Sequence, residues 1–128
     1  MTPINWQAFI DQGHGKEMAV AQVSPAIMSY LGATSALVFM DHRYVLKSVH
    51  QHRISIEAFE ALSDILTYGQ VLEDRERHLV FLFGSRAGWF HVVVKRAEAS
   101  GRLYISTFHR TTIAKAAAKR RRFLLVRE

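Results

Sequence analysis

The chain reads as an α+β domain with helices packed on one face of a sheet, and three observations predict it. Helical periodicity and caps dominate the first half, and strand composition with turn signals dominates beyond Gln70. The length, 128 residues, suffices for a single domain spanning 1–128 and not for a second core. Apolar types make up 49% and charged types 22%, the balance of a chain that folds rather than one that stays disordered.

Residues 5–12 place Trp6, Phe9 and Ile10 at helical spacing behind Pro3 and Asn5, with Gly13 as a stop, which predicts a short docking helix. Residues 16–31 are helical in composition but split at Ser24-Pro25, an N-cap followed by proline at the first helical position; Gly32 ends the second piece. A β-favouring run follows at 35–40, and Asp41 caps a helix that carries Val45, Leu46 and Val49 to about His52. Residues 55–68 set Ile56, Phe59, Leu62, Ile65 and Leu66 on one stripe, with Gly69 after it. The runs 78–83, 89–96 and 102–108 predict three antiparallel strands in a meander, with turns at 84–88 and 99–101. An Ala-rich helix is expected over 112–122, and the apolar run 123–126 suits an edge strand.

Strand alternation indicates what the second face of the sheet carries. Phe90, Val92 and Val94 point one way and His91, Val93 and Lys95 the other. With Leu103 and Ile105 in the core, Tyr104, Ser106, Phe108 and Arg110 join His91 and Lys95 on an open, basic, aromatic-bearing face. Strict alternation puts Thr107 and His109 on the core side, and a bulge near the strand end would reverse that.

The absence of cysteine removes disulfide frameworks, Cys-ligated metal sites and thiol nucleophiles. There is no Walker loop, Gly-rich dinucleotide turn, HExxH or EF-hand loop, so neither a metal nor another cofactor is expected; the single histidine of Gly13-His14-Gly15 reads as a turn. No apolar run approaches the roughly 20 residues that cross a bilayer, and no basic segment followed by an apolar one opens the chain, so a cytoplasmic location without membrane contact is expected. Residues 1–108 hold ten basic and ten acidic residues, whereas 109–128 hold seven basic and one acidic, so the whole net charge of +6 lies in the tail. Such a localised field attracts polyanions, nucleic acid foremost, although a solvated Lys/Arg-rich helix has the same composition.

Two polar clusters carry candidate chemistry. In the first, Lys47, His50 and His52 stand at the end of a predicted helix; His50 and His52 are about 200° apart around its axis and cannot chelate one ion. Cations decorating a helix C-terminus would also explain them. The second joins Lys95 to Thr107, Phe108, His109 and Arg110. Histidine, lysine, arginine and a hydroxyl are the parts that metal-independent RNA cleavage requires: a base for the 2′-hydroxyl, an acid for the 5′-oxygen and cations for the phosphoryl charge. In the tail, Lys115, Lys119 and Arg122 share a helix side and Arg120 and Arg121 widen the charge, which suits a phosphate backbone; Tyr104, Phe108 or Trp89 could stack an unpaired base.

The ordered set of Leu31-Gly32, then Lys47, His50 and His52, then Ile65-Leu66-x-x-Gly69-x-Val71, the strands at 79–81 and 92–95, and a closing Leu103-Tyr104-Ile105-Ser106-Thr107-Phe108-His109-Arg110 resembles a known group. The stretch of about 20–110 is similar to the phage-associated branch of the barnase, EndoU, colicin and RelE-like nucleases, found also at the C-terminus of Mu-type phage head-morphogenesis proteins and as toxin tips. The resemblance implies helices against a roughly four-stranded antiparallel sheet and ribonuclease activity without metal. Carried over by position, it implies His50 or His52 as general base or acid, Lys95 and Arg110 as phosphate-charge stabilisers and Thr107 as an orienting hydroxyl. Lys47, His91, Tyr104, His109, Lys115, Lys119, Arg120, Arg121 and Arg122 are then the RNA-contacting set. The basic tail and the first fifteen or so residues have no counterpart in that group.

The leading expectation is a toxin-type ribonuclease that cleaves tRNA or mRNA by transesterification, with an acidic antitoxin or immunity protein as a fitting partner. The alternatives are a non-catalytic nucleic-acid-binding or phage structural module on the same fold, and a protein-interaction module that uses the basic tail on an acidic partner.

Overall fold

The computed structural model describes residues 4–75, 78–86, 88–122 and 124–127. Pro3 and Phe123, and the side chain of Arg122, lie outside the described residues. Among the described residues the fold is α+β: a seven-stranded mixed sheet in the order β1-β2-β6-β5-β4-β3-β7, with six helices. The strands are β1 (Glu17–Gln22), β2 (Leu37–Asp41), β3 (Gln70–Arg75), β4 (His78–Ser85), β5 (Gly88–Arg96), β6 (Leu103–Thr111) and β7 (Leu124–Arg127). The helices are α1 (Trp6–Gln12), α2 (Pro25–Leu31), α3 (His42–Gln51), α4 (Ile56–Glu60), α5 (Leu62–Tyr68) and α6 (Ile113–Arg122). No described helix is long and apolar enough to cross a membrane.

Local signals set the helix starts. The side chains of Asn5, Ser24, Asp41 and Ser55 accept from the backbone N–H groups of Ala8, Ile27, Arg43 and Ala58, which supplies partners for donors that a helix N-terminus leaves free. Gly32 ends α2 in the left-handed conformation that glycine adopts without strain. The stripe of 55–68 packs as expected, but as two helices that meet at Ala61.

The sheet is larger than four strands and is not wholly antiparallel. Residues 17–22 form an edge strand paired with β2 rather than a helix, because pairing overrides the helical composition of Glu-Met-Ala-Val-Ala-Gln. β3 adds a strand between β4 and β7, and β2 runs parallel to β6 through Val38↔Leu103 and Phe39↔Tyr104. The meander β4-β5-β6 and the edge position of β7 match the sequence expectation.

Both faces of the sheet are occupied, unequally. The main core gathers Val38, Leu79, Phe81, Phe90, Val92, Val94, Leu103, Ile105 and Phe108 under the helices that precede β3. On the opposite face a smaller cluster of Leu72, Val80, Leu82 and Val93 is covered by Ala116 of α6, with Trp89 beside it. The helices are therefore not confined to one face. α6 closes that part of the second face over β3, β4 and β5.

Candidate active site

The register of β5 on β6 builds the site. Val93 faces Thr107 and Val94 faces Ile105, so Ser106 is an extra residue and β6 is bulged there. The bulge inverts the alternation downstream: Phe108 turns into the core and Thr107 and His109 turn to the second face, where His91 stands opposite His109. Phe108 is thus a core side chain and not a base-stacking surface.

Alpha helix α3 supplies the third histidine. β2 pairs with β6 only at Leu103 and Tyr104, and beyond that point α3 runs along the β6 edge. There the Phe108 N–H donates to Tyr44 Oη at 2.7 Å, so a tyrosine replaces the missing strand partner. Thr107 hydrogen-bonds to the same tyrosine. His52, the C-cap of α3, comes to 5.8 Å from His109 between ring centroids. His91 and His109 stack at 4.5 Å with planes 17° apart.

The trio is electrostatically unequal. His91 is 5% exposed, its Nδ1 has no hydrogen-bond partner, and its pKa is pushed down to about 3, first by burial and then by the charges of His109 and of Lys119 on α6. His52 is held below the usual imidazole range by burial, then by His109 and Lys47. The Nδ1 of His109 lies 2.8 Å from the Arg110 carbonyl oxygen. A carbonyl can only accept, so Nδ1 carries the proton and Nε2 is the exchangeable nitrogen. Burial also pushes the Tyr44 hydroxyl up. Among the described residues no group of three His, Cys, Asp or Glu side chains is arranged to hold a metal ion. The stacked rings of His91 and His109 do not direct their in-plane lone pairs at a common point.

The structure thus brings together Lys47, His52, His91, Thr107, His109 and Lys119. His50 is exposed and about 200° around α3 from His52. Lys95 is four residues from His91, about 13 Å along the strand. Arg110 lies on the opposite face from His109, with its guanidinium 5.1 Å from the Phe90 ring centroid. Tyr104 sits near the far end of β6, beside Phe39 of β2. Arg120 reaches Gln70 of β3 at 3.4 Å, and Lys115 and Arg121 are exposed on α6. Tyr44 is the participant that the sequence did not single out; the only signal was its position three residues before Lys47, on one side of α3. Comparisons of the chain with family models, curated proteins and solved structures return no match.

Proposed function

We propose that the protein is a metal-independent endoribonuclease of the barnase, EndoU, colicin and RelE-like type. The observation that carries this is the placement of His52 within 5.8 Å of His109, with the charge of Lys47 acting on His52 and that of Lys119 on His91, the ring stacked against His109. Two imidazoles at that separation are too far apart to bond directly, yet one phosphodiester hydrogen-bonded to both would span them. His52, kept neutral near pH 7, takes the 2′-hydroxyl proton; the 2′-oxygen attacks phosphorus and the bond from phosphorus to the 5′-oxygen breaks. His109, entering the step as the imidazolium, gives its Nε2 proton to the departing 5′-oxygen and keeps the Nδ1 proton hydrogen-bonded to the Arg110 carbonyl, which leaves a 2′,3′-cyclic phosphate and a 5′-hydroxyl. Lys47 and Lys119 stabilise charge on the equatorial oxygens, and Tyr44 with Thr107 holds the β6 edge in place. Lys95, some way along β5 from His91, and the Arg110 guanidinium, on the opposite face of β6, have no part in this assignment.

The substrate in this reading is cellular RNA, tRNA or mRNA, met in the cytoplasm, and an acidic antitoxin is the partner whose charge suits the cationic tail. The test is incubation of the purified protein with RNA in EDTA, followed by end mapping. Cyclic phosphate ends that disappear in His109→Ala support the proposal. Salt-dependent RNA binding with no product at any time would select the non-catalytic module instead.

A further inference from the structure

The bulge at Ser106 has an effect beyond His109. Tyr104 and His109 are an odd number of residues apart and in a regular strand would point to opposite faces; the extra residue puts them on the same face. Tyr104 is not among the residues clustered with Ala116 of α6, and it stays partly exposed. The Phe39 and Tyr104 rings lie 6.1 Å apart, and the Arg102 guanidinium stacks 3.7 Å from the Phe39 centroid and 5.7 Å from that of Tyr104. Glu17 holds this arrangement from β1, bonding Arg102 at 2.7 Å and accepting from Tyr104 Oη at 3.4 Å. An open surface cavity of about 440 Å³, lined by Asp41, Arg43, Tyr44 and Lys47, lies where β2 ends and α3 begins. Tyr44 and Lys47 also belong to the histidine site, and the charge of Asp41 acts on Tyr104, so the cavity lining borders both ends.

Resting on the ribonuclease reading, we propose that the Phe39–Arg102–Tyr104 cluster is a base-stacking subsite for single-stranded RNA that continues along β6 from the scissile phosphodiester. Aromatic faces and guanidinium planes stack unpaired bases irrespective of sequence. Arg43 and Lys47 line this stretch with two cations for the intervening phosphates, partly offset by Asp41, which pairs with Arg43 at 3.6 Å. A duplex cannot use the subsite, because its bases are already stacked on each other, and a dinucleotide is too short to reach both ends.

The test uses the full chain with Arg102→Gln and, separately, Tyr104→Leu. Binding of a 2′-O-methylated octanucleotide, which cannot be cleaved, is measured by fluorescence anisotropy, and cleavage is measured on RNA dinucleotides and octanucleotides. Both variants are expected to bind the octanucleotide about tenfold more weakly and to raise its KM with kcat unchanged, while dinucleotide cleavage stays as in the wild type. Unchanged octanucleotide binding in both variants, equal losses on dinucleotide and octanucleotide, or wild-type binding of duplex RNA as tight as of single strands would overturn it. If the wild type cleaves nothing but the variants still lose octanucleotide affinity, the stacking subsite stands and the ribonuclease reading falls.

Discussion

His91 and His109 face each other across β5 and β6 with their rings stacked at 4.5 Å, and only His91 is buried. The buried ring gives the half-exposed one a fixed apolar backing, while the bond from His109 Nδ1 to the Arg110 carbonyl sets which nitrogen faces solvent. A histidine held in both position and tautomer is what proton transfer to a leaving group needs.

Under the proposed ribonuclease mechanism, removing either His52 or His109 should abolish most activity. His52→Ala and His109→Ala are each expected to lower kcat for RNA cleavage about 10²- to 10⁴-fold, with far-UV circular dichroism unchanged. His50→Ala should stay within about twofold of the wild type, since its side chain leaves α3 on the side away from His52. A loss at His50 equal to that at His52 would refute the assignment.

His91 makes folding stability depend on pH with a definite sign. Its pKa is about 3 in the folded chain and near ~6.5 when unfolded, so between these values the unfolded state binds the extra proton. Stability should fall as pH is lowered from about 6.5 towards 3, and His52 adds to the slope in the same direction. His91→Leu should flatten urea-melt stabilities measured between pH 6.5 and pH 4 relative to the wild type. An unaltered slope would show that His91 does not carry the dependence.

Much of the fold was legible because its signals are local. Ser24-Pro25, Asp41 and Gly32 mark helix ends through hydrogen bonds made within three or four residues, and the structure contains each. Residues 17–22 misled because strand formation there depends on β2, and β3 was missed because polar Glu73 and Asp74 interrupt its apolar run while its stability comes from neighbours on both sides. The site was half legible. Alternation placed His91 on the second face, but His109 joins it only through the bulge at Ser106, a residue with no distinguishing chemistry. That His52 rather than His50 completes the trio depends on where β2 stops and α3 takes over the β6 edge, a long-range relationship.

Gly84 gives a packing prediction on the face that α6 covers. It pairs with Trp89 across β4 and β5, and a Cβ at Gly84 would sit 2.5 Å from Trp89 Cε2. The indole lies where the side chain of residue 84 would be and must move if one is added. Gly84→Ala is expected to cost about 1–3 kcal/mol of stability by urea denaturation. Trp89 fluorescence should shift to the red as the ring is displaced from Leu82 and Val93; a stable variant with unshifted emission would contradict this packing.

Tyr44→Phe separates the role of the hydroxyl from that of the ring. The ring stays against the core and only the oxygen at 2.7 Å from the Phe108 N–H is lost, which leaves a backbone donor at the β6 edge unpaired beyond the end of β2. Such a loss costs about 1–3 kcal/mol, and the Thr107 hydroxyl loses its partner at the same time. The variant should unfold at lower urea with an unchanged m-value, because the surface exposed on unfolding is the same. Amide hydrogen exchange at Phe108 should speed up more than exchange at Val92, its pair across β5. Equal acceleration at both positions would mean that the tyrosine supports the whole sheet, and that the edge of β6 does not depend on its hydroxyl in particular.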